Sequence, residues 1–341
     1  MAMRVFIAGG SGLIGRHLAK SLSSAGHEPL ILSRHADAVR REPEMRSIRV
    51  IPGDPTTDGK WQEAVDGCDA VVNLAGHGIF TERWNPAVKH SIRDSRVHSA
   101  EKLVAAIKGA SARPKVYVQG SAIGFYGSHD DEELTESSPS GKDFLAVVCR
   151  ECEDVSSSID TLGVRRAVVR TGIVLAPGAG ALKIMTPIFK LGPGAPIGSH
   201  GKAVAEGNQW MSWIHIDDIV GIFRLSIENA AASGPLNGTA PNPVRNAEFA
   251  KTFSSVLKKP YTPWRVYVPF GPPDGLLRVV LGEVATAITT GQRVLPTKPL
   301  ELGYRFKYPH IADALQAVVT PAPPPPPPAS HSRAAHAGAH H

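Results

Sequence analysis

Six short apolar runs alternate with amphipathic stretches over the first half of the chain. The runs are RVFIAG, PLILSR, IRVIPGD, AVVNLAG, KVYVQGS and RRAVVRTG. Nearly continuous hydrophobicity with many β-branched residues is typical of strands buried on both faces of a parallel sheet. The stretches between them, such as GRHLAKSLSSAG and SRVHSAEKLVAAIKGA, carry apolar residues three and four positions apart and end near glycine, which predicts helices. The pattern therefore predicts an α/β fold with a doubly wound parallel sheet.

The second half of the chain has a different residue pattern. Glycine and proline interrupt APGAGALKIMTPIFKLGPGAPIG, tryptophans cluster in QWMSWIHIDD, and LLRVVLGEVATAITTGQRVLPTKPLELGYRF is predicted to be a helix followed by a loop. We interpret residues 176–319 as a smaller substrate lobe, interleaved with the sheet of residues 1–175, whose loops could close over a ligand. Asn246 is a predicted N-cap within it. Residues 320–341, rich in proline and histidine, are predicted to be a disordered tail rather than a metal site or a ligand for a proline-binding domain.

Charge and cysteine content exclude only a few classes of partner and site. The 341 residues carry a formal net charge of +6, and their 37 Lys and Arg are scattered, which does not favour a nucleic-acid partner. No apolar run approaches the roughly 20 residues that span a bilayer, and we expect no signal peptide. Three cysteines make no disulfide framework, and the pair in CREC is interpreted as packed helix residues rather than a redox or zinc site. We expect a cytoplasmic protein with a small-molecule substrate, no metal and no membrane partner; a homodimer is left open.

Three glycines, Gly9, Gly12 and Gly15, lie between the first predicted strand and the first predicted helix. Without a Cβ they allow a tight turn, close approach of backbone amides to a pyrophosphate and close packing of helix on strand, which predicts a dinucleotide-binding Rossmann domain. Ser33 and Arg34 end the second strand, where an acidic residue would select NAD. A guanidinium can pair with a 2′-phosphate and a hydroxyl can donate to it, so the predicted cofactor is NADP. The alternative is that Arg34 is only a solvated surface residue.

Longer strings of the chain resemble a known family. The spacing G-x-x-G-x-x-G, NLAG and GSAIGFYG resemble the extended short-chain dehydrogenase/reductase superfamily. Within it, RDSRV, DFLAVVCRECE, RTGIVL, QWMSWIHIDD, APNPVRNAEFAK and GQRVLP are similar to an atypical branch, the NADP-binding epimerase family proteins or YfcH-like group, which has its own short C-terminal domain. The resemblance covers residues 3–319 and leaves out the tail and an insertion at 201–208, which is either a lid or a tolerated surface loop.

The resemblance implies a set of cofactor-binding positions. The glycine loop would hold the pyrophosphate through the backbone, the pair ending the second strand would meet the 2′-phosphate, and Asp54 falls where the superfamily often contacts adenine. Leu74 and Ala75 would line the ribose, Arg96 would reach toward the cofactor from the next helix, and Val174 would contact the nicotinamide end. The implied residues are Gly9, Ser11, Gly12, Leu13, Ile14, Gly15, Ser33, Arg34, Asp54, Leu74, Ala75, Arg96 and Val174.

Four of these positions also have an ordinary structural interpretation. Leu74, Ala75 and Val174 would be buried in any such sheet, and Arg96 could form an ion pair with Asp94 or Glu101.

The superfamily's proton relay is expected to be missing. A tyrosine phenol normally passes a proton to or from the substrate oxygen, a lysine four residues on lowers its pKa, and a Ser or Thr holds the oxygen. Here the tyrosine position falls on Phe144 or Leu145 and the lysine position on Val148 or Cys149. None of these can transfer that proton or supply that charge.

Substitutes for the relay are few. The usual hydroxyl position falls on Ala122. We interpret Asp143 as an N-cap and the His–Asp pair of WIHIDDIV as a loop-to-helix transition. Trp210, Met211 and Trp213 either wall a substrate pocket or pack the lobe. The candidates are Asp143, Ser121, Tyr126, Asp217, Asp218 and His215.

Two functions therefore stay open at the level of sequence. The first is an NADP-dependent oxidoreductase or epimerase that acts on an unknown small carbonyl or sugar-nucleotide-like substrate without the Tyr-x-x-x-Lys pair. The second is an NADP(H)-binding sensor or scaffold with little or no turnover. The retained glycine loop favours the first function, and the missing relay favours the second.

Overall fold

Strands and helices alternate along the part of the chain that this computed structural model describes, which is residues 2–191, 194–196, 207–262, 283 and 290–320. The strands are β1 (Arg4–Ala8), β2 (Glu28–Ser33), β3 (Arg49–Pro52), β4 (Ala70–Asn73), β5 (Val116–Ala122), β6 (Glu133–Leu134), β7 (Arg165–Thr171), β8 (Ile173–Ala176), β9 (Trp210–Met211), β10 (Trp213–His215), β11 (Gly234–Gly238), β12 (Val244–Arg245) and β13 (Arg293–Val294). The helices are α1 (Leu13–Ser24), α2 (Ala36–Arg41), α3 (Pro86–Gly109), α4 (Phe144–Ser157), α5 (Gly180–Leu191), α6 (Ile216–Glu228), α7 (Asn246–Val256), α8 (Thr297–Glu301) and α9 (Ile311–Val319).

Seven of these strands form one parallel sheet in the order β11-β7-β5-β4-β1-β2-β3. The chain runs outward from β1 to β3, returns to β4 on the other side of β1, and then runs outward again to β11. This confirms the predicted doubly wound α/β fold. The reversal between β1 and β4 leaves a crevice at the carboxyl ends of the two strands, which is where ligands bind in sheets of this kind.

The seventh strand was not visible in the sequence pattern. The six predicted apolar runs became β1, β2, β3, β4, β5 and β7, whereas β11 has the sequence GPLNG and pairs with β7 at the edge of the sheet. Five residues that include two glycines and a proline carry little of the apolar, β-branched signal by which strands are recognised.

The start of α7 differs by one residue from the prediction. Helix α7 begins at Asn246 itself, and Arg245 occupies the capping position without a side-chain cap. The Asn246 side chain is buried and its amide donates to the sulfur of Met211 at 3.2 Å. The predicted N-cap is therefore wrong, because this side chain packs inward instead of turning back onto the first turn of the helix.

Two apolar cores sandwich the sheet. Val5 and Ile7 of β1 face one core, which contains the buried faces of α1 and α6, and Phe6 and Ala8 face the other, to which α3 contributes. This alternation follows from the two-residue repeat of a strand. A third core joins α7 and α9 around the fully buried Trp213. Within the described residues no helix combines the length and hydrophobicity needed to cross a membrane.

Three sequence predictions lie largely outside the described residues. They are the insertion at 201–208, the helix expected soon after residue 275 and the tail at 320–341.

A buried aspartate ties α6 to the C-terminal segment. The carboxylate of Asp218 accepts hydrogen bonds from the backbone amides of Lys307 at 2.7 Å and Tyr308 at 3.0 Å, and from the Tyr304 hydroxyl at 3.1 Å. Asp218 is 1% exposed, whereas the neighbouring Asp217 is exposed and pairs with the Lys307 ammonium at 2.7 Å. Asp218 therefore fixes the path of the chain over α6, since its carboxylate is the acceptor for both backbone amides.

Replacing Asp218→Ala is expected to lower the free energy of unfolding by about 2–4 kcal/mol, because buried donors lose a charged acceptor. The matched control Asp217→Ala should cost under about 1 kcal/mol, since it removes an exposed ion pair. Urea unfolding followed by circular dichroism measures both changes. Equal losses in the two variants would contradict the anchoring role of Asp218.

Candidate functional site

The turn between β1 and α1 packs directly on the end of β4. Gly9 has a φ of +73°, and a Cβ added there would lie 2.5 Å from the carbonyl carbon of Leu74. A Cβ on Gly15 would lie 2.4 Å from the Gly9 carbonyl oxygen. These two positions therefore require glycine, because a side chain at either one would collide with the neighbouring backbone.

The first turn of α1 presents free backbone amides at this crevice. Gly12 occupies the N-cap position without a side-chain cap, and its amide donates to the Gly9 carbonyl at 3.0 Å. The first turn of α1 contains no acidic residue. The amides of Leu13 and Ile14 therefore keep their positive potential, which is the arrangement that binds phosphate at a helix N-terminus. The half-buried Ser11 lies in the same turn, where its carbonyl accepts from the Arg16 side chain at 2.6 Å.

A hydroxyl and an unpaired cation follow β2. Ser33 is 3% exposed at the end of the strand, and its hydroxyl oxygen accepts from the His35 amide at 3.1 Å. Arg34 is exposed, and its guanidinium makes no hydrogen bond or ion pair with any described residue. Both groups are therefore available to an anionic ligand that reaches the carboxyl end of β2.

Asp54 lies beside Arg34 because β3 pairs with β2. Its Oδ1 accepts from the amide and the hydroxyl of Thr56, at 2.9 and 2.7 Å. Burial by itself would raise the pKa of Asp54, but the bonds from Thr56 and the charge of Arg34 outweigh burial and lower the pKa. An ionised carboxylate with one oxygen already occupied is thus held at this end of the crevice.

The predicted ribose-lining residues follow β4. The Leu74 amide donates to the Ala8 carbonyl at 2.8 Å, and the Ala75 amide to the Asn73 side chain at 3.1 Å. Both residues are half-buried. Val174 in β8 lies near the first turn of α1, since a Cβ on Gly180 would lie 2.7 Å from the Val174 carbonyl and 3.6 Å from the Leu13 side chain.

Arg96 reaches the same edge from α3. Its Nη1 donates to the carbonyls of His77 at 3.0 Å and Ile92 at 2.9 Å. Neither Asp94 nor Glu101 pairs with it; Asp94 pairs with Arg93 at 2.9 Å. A Cβ on Gly76 would lie 3.0 Å from the Arg96 Cζ, so the guanidinium rests against the chain just beyond Ala75.

The predicted cofactor residues thus fall into contacting groups along one edge of the sheet. The glycine turn contacts the residues after β4, the end of β2 adjoins Asp54, and Arg96 lies beyond Ala75. The structure does not bring Arg34 and Arg96 together, because β1 separates β2, which Arg34 follows, from β4, beyond which the Arg96 guanidinium lies.

Helix α4 presents no tyrosine or lysine to this edge. Phe144 is half-buried, lies edge-on to Trp84 with ring centroids 5.4 Å apart, and has the Lys89 ammonium 4.7 Å above its ring. Leu145 is half-buried and Val148 is buried. These side chains pack against their neighbours and carry no proton that a substrate could exchange.

The two helix cysteines are buried thiols. The Cys149 thiol donates to the Ala122 carbonyl at 3.7 Å, and the Cys152 thiol to the Arg96 carbonyl at 3.6 Å. Burial raises the pKa of Cys149, and it raises the pKa of Cys152 to about 12. A thiolate is disfavoured at both positions, which confirms the interpretation of CREC as packed helix residues.

A buried ion pair that the sequence analysis did not predict joins α4 to β7. Arg170 of β7 donates to both carboxylate oxygens of Glu153 in α4, at 3.1 Å through Nε and 2.8 Å through Nη2. The side chains are 6% and 11% exposed. Burial opposes the charge of Arg170, but the bonds and charge of Glu153 outweigh it and raise the pKa of the guanidinium. Ser121 donates to the same carboxylate at 2.7 Å, so its hydroxyl proton is already used.

Tyr126 belongs to the same network. It is fully buried, its hydroxyl donates to Asn237 at 2.6 Å, and it accepts from Arg170 at 3.0 Å. Burial raises the pKa of Tyr126 more than the charge of Arg170 lowers it. A buried phenol whose hydroxyl already donates one hydrogen bond and accepts another is a structural group. The sequence signal that could have located this network is a charged residue within an apolar stripe, as Glu153 is on α4 and Arg170 is in RRAVVRT.

The other candidates for proton transfer also have structural partners. Asp143 caps α4 by accepting from the Ala146 amide at 2.9 Å, as predicted. His215 caps α6 by accepting from the Asp217 amide at 3.1 Å, which confirms the predicted loop-to-helix transition.

The two tryptophans have different surroundings. Trp213 is fully buried and donates to the Asn242 carbonyl at 3.1 Å, so it packs the lobe. Trp210 is half-buried, donates to the Asp131 carboxylate at 2.9 Å, and has the guanidinium carbon of Arg245 at 4.1 Å and that of Arg293 at 4.8 Å from its ring.

Comparisons with known proteins agree with this architecture. Residues 5–237 match the model of the NAD dependent epimerase/dehydratase family, and residues 272–318 match a domain of unknown function, DUF1731. The epimerase family protein SDR39U1 homolog, chloroplastic, from Arabidopsis thaliana is 40% identical over 320 residues, which cover 93% of this chain and 87% of that protein.

Solved structures extend the comparison. The crystal structure of human epimerase family protein SDR39U1 (isoform2) with NADPH has a TM-score of 0.78 and 32% identity, and covers 94% of this chain and 100% of that one. The Thermus thermophilus UDP-glucose 4-epimerase complex with NAD has a TM-score of 0.70 at 18% identity over 93% of this chain and 98% of that one, which shows the fold alone. With the predicted resemblance thus confirmed, the chain belongs to the NAD dependent epimerase/dehydratase family and carries the DUF1731 domain of the SDR39U1-like epimerase family proteins.

Proposed function

We propose that the protein binds NADP(H) and acts as an oxidoreductase or epimerase of the extended short-chain type on a small carbonyl or sugar-nucleotide-like substrate. The observation that carries this proposal is the glycine turn at the N-terminus of α1 together with the unpaired Arg34 beyond β2, within the part of the chain that the structure describes. The first can hold a pyrophosphate and the second a 2′-phosphate. The NADPH in the human SDR39U1 structure supports NADP over NAD.

The cofactor-binding residues follow from this placement. The loop from Gly9 to Gly15, including Ser11 and Gly12, takes the pyrophosphate through its amides, and Ser33 and Arg34 take the 2′-phosphate. Asp54 lies on the adenine side. Leu74 and Ala75 line the ribose, with Leu13, Ile14 and Val174 closing the apolar side. Arg96 lies beyond Ala75 and is not assigned to the cofactor in this proposal. A bound NADPH would supply the hydride, and these residues would orient it.

Proton transfer must then differ from that of most relatives of this fold. Tyr126, Ser121 and Asp143 already donate to or accept from protein groups, and α4 offers phenylalanine, leucine and thiols where a relay would stand. We propose that a substrate oxygen exchanges its proton with water admitted to the crevice.

The same observation supports a second candidate function. Because the positions expected to transfer protons are used in packing and hydrogen bonding, an NADP(H)-binding sensor or scaffold with little turnover also fits the site.

Replacing Arg34→Asp is expected to weaken NADPH binding about 10–100-fold while leaving NADH within about threefold, because a 2′-phosphate would meet a carboxylate in place of a guanidinium. Fluorescence titration with each nucleotide measures the effect. Arg113→Asp is the matched control, since it makes the same charge change on an exposed residue just before β5, at the amino ends of the strands and away from the crevice. Unchanged NADPH affinity in the Arg34→Asp variant would exclude this assignment of the 2′-phosphate.

Replacing Gly9→Ala is expected to reduce NADPH affinity by at least about tenfold, because the new Cβ would displace the turn from Leu74. Gly26→Ala is the matched control: Gly26 has a φ of +82° and no atom within 4 Å of an added Cβ, so it shares the backbone strain without the contact. Calorimetric titration and thermal melts of both variants separate binding from stability. If the two variants bind NADPH equally well, the glycine turn is not the cofactor cradle.

Turnover separates the two candidate functions. An enzyme should oxidise NADPH with at least one member of a panel of aldehydes, ketones and nucleotide sugars, and the rate should fall with cofactor binding in Gly9→Ala. Mass spectrometry of the purified protein would show whether a small molecule co-purifies. Tight NADPH binding with no turnover across the panel would favour the sensor.

A further inference from the structure

Arg96 is a half-buried cation that no carboxylate of the described residues balances. Three residues earlier on the same helix, Arg93 pairs with Asp94 and Glu151 at 2.9 and 2.7 Å, and Arg170 pairs with Glu153 at 2.8 Å. Arg96 instead donates one nitrogen, Nη1, to two backbone carbonyls. Burial lowers the pKa of its guanidinium.

The bonds that Arg96 makes leave one edge of its guanidinium free. Nε and Nη2 have no acceptor among the described residues. These two nitrogens form the fork that matches the two oxygens of a carboxylate. A half-buried guanidinium with an unused fork favours a ligand that supplies negative charge.

The place of this fork is the reacting end of the crevice. The guanidinium rests against the exposed Gly76 just beyond β4, and it lies near the Cys149 thiol, one of the two residues on which the lysine position falls. Arg96 thus brings a positive charge from α3 to a place where α4 carries none.

The proposed cofactor does not need this charge. Its pyrophosphate has the first turn of α1 and its 2′-phosphate has Arg34, and β1 lies between β2, which Arg34 follows, and β4, beyond which Arg96 lies.

We propose that the free fork of Arg96 binds a carboxylate of the substrate, so that the substrate is a carbonyl compound that carries a carboxylate close to the reacting carbon. This deepens the proposed function and rests on it. The carboxylate fixes the orientation of the substrate by two parallel hydrogen bonds, in place of the contacts that a tyrosine and a serine would make.

The test uses oxamate as a small carboxylate probe and methyl oxamate as its uncharged ester. Each is titrated into the full-length protein saturated with NADPH and, separately, into the apoprotein, by calorimetry. We expect oxamate to bind saturably below roughly 10 mM and at least about tenfold more tightly than methyl oxamate. Inorganic phosphate is the second anion, and it should bind more weakly than oxamate because it lacks the planar carboxylate.

Two variants locate the binding. Arg96→Met should lower oxamate affinity by at least about tenfold and change NADPH affinity by less than about threefold, while Arg93→Met, the matched control on the same helix, should change neither. Arg96→Lys keeps the charge without the fork and should give an intermediate loss. Circular dichroism and melting temperature verify that each variant folds.

Four results would overturn the proposal: no saturable oxamate binding, equal affinity for oxamate and its ester, unchanged oxamate affinity in Arg96→Met, or an NADPH affinity that falls by about tenfold or more in that variant, about 1.4 kcal/mol. The first two need no variant, so they stand even if Arg96→Met misfolds. Failure of the wild-type protein to bind NADPH would refute the proposed function separately, because the apoprotein titration reports on the carboxylate alone.

Discussion

The buried pair of Glu153 and Arg170 is the interaction on which the carboxyl edge of the sheet depends. It joins α4 to β7, holds the Ser121 hydroxyl at the end of β5, and supports the Tyr126 phenol, which in turn contacts Asn237 of β11. Desolvating two charges is unfavourable unless the geometry is nearly ideal, and here both carboxylate oxygens and all three guanidinium nitrogens are used. Removing one partner from such a pair typically costs about 3–5 kcal/mol, because the other is left buried and unpaired.

This network also bears on proton transfer at the proposed cofactor crevice. Tyr126 and Ser121, which could otherwise transfer protons, instead form hydrogen bonds within this network. The crevice that remains is polar at the glycine turn and Arg34, and apolar at Leu74, Ala75 and Val174. Arg96 adds one uncompensated charge at its far end. The site is therefore suited to binding and orienting anionic ligands rather than to supplying protons from its own side chains.

The sequence alone was sufficient to predict the features that depend on residues close together in the chain. Strands β1 to β5 and β7, the glycine turn, and the caps at Asp143 and His215 follow from residue spacing within a few positions, because backbone sterics and short-range hydrogen bonds determine them. Strand β11 escaped recognition because it is short and polar, and Asn246 was misplaced because tertiary packing against Met211 outweighed its capping preference.

The long-range contacts could not be predicted in this way. Tyr126 and Asn237 lie 111 positions apart, and the free fork of Arg96 depends on which of several nearby acceptors its nitrogens meet once α3 has packed against α4. In the sequence, Arg96 had two plausible acidic partners, and the structure gives it two carbonyls instead. Spacing alone does not decide between such partners, since it fixes the face of a helix but not what packs against that face.

The central claim is that the crevice between β1 and β4 is an NADP(H) site. Calorimetric titration of the purified wild-type protein with NADPH and with NADH tests it most directly. The account predicts one NADPH bound per chain, at least about tenfold more tightly than NADH. Equal affinities for the two nucleotides, or no binding of either, would contradict it.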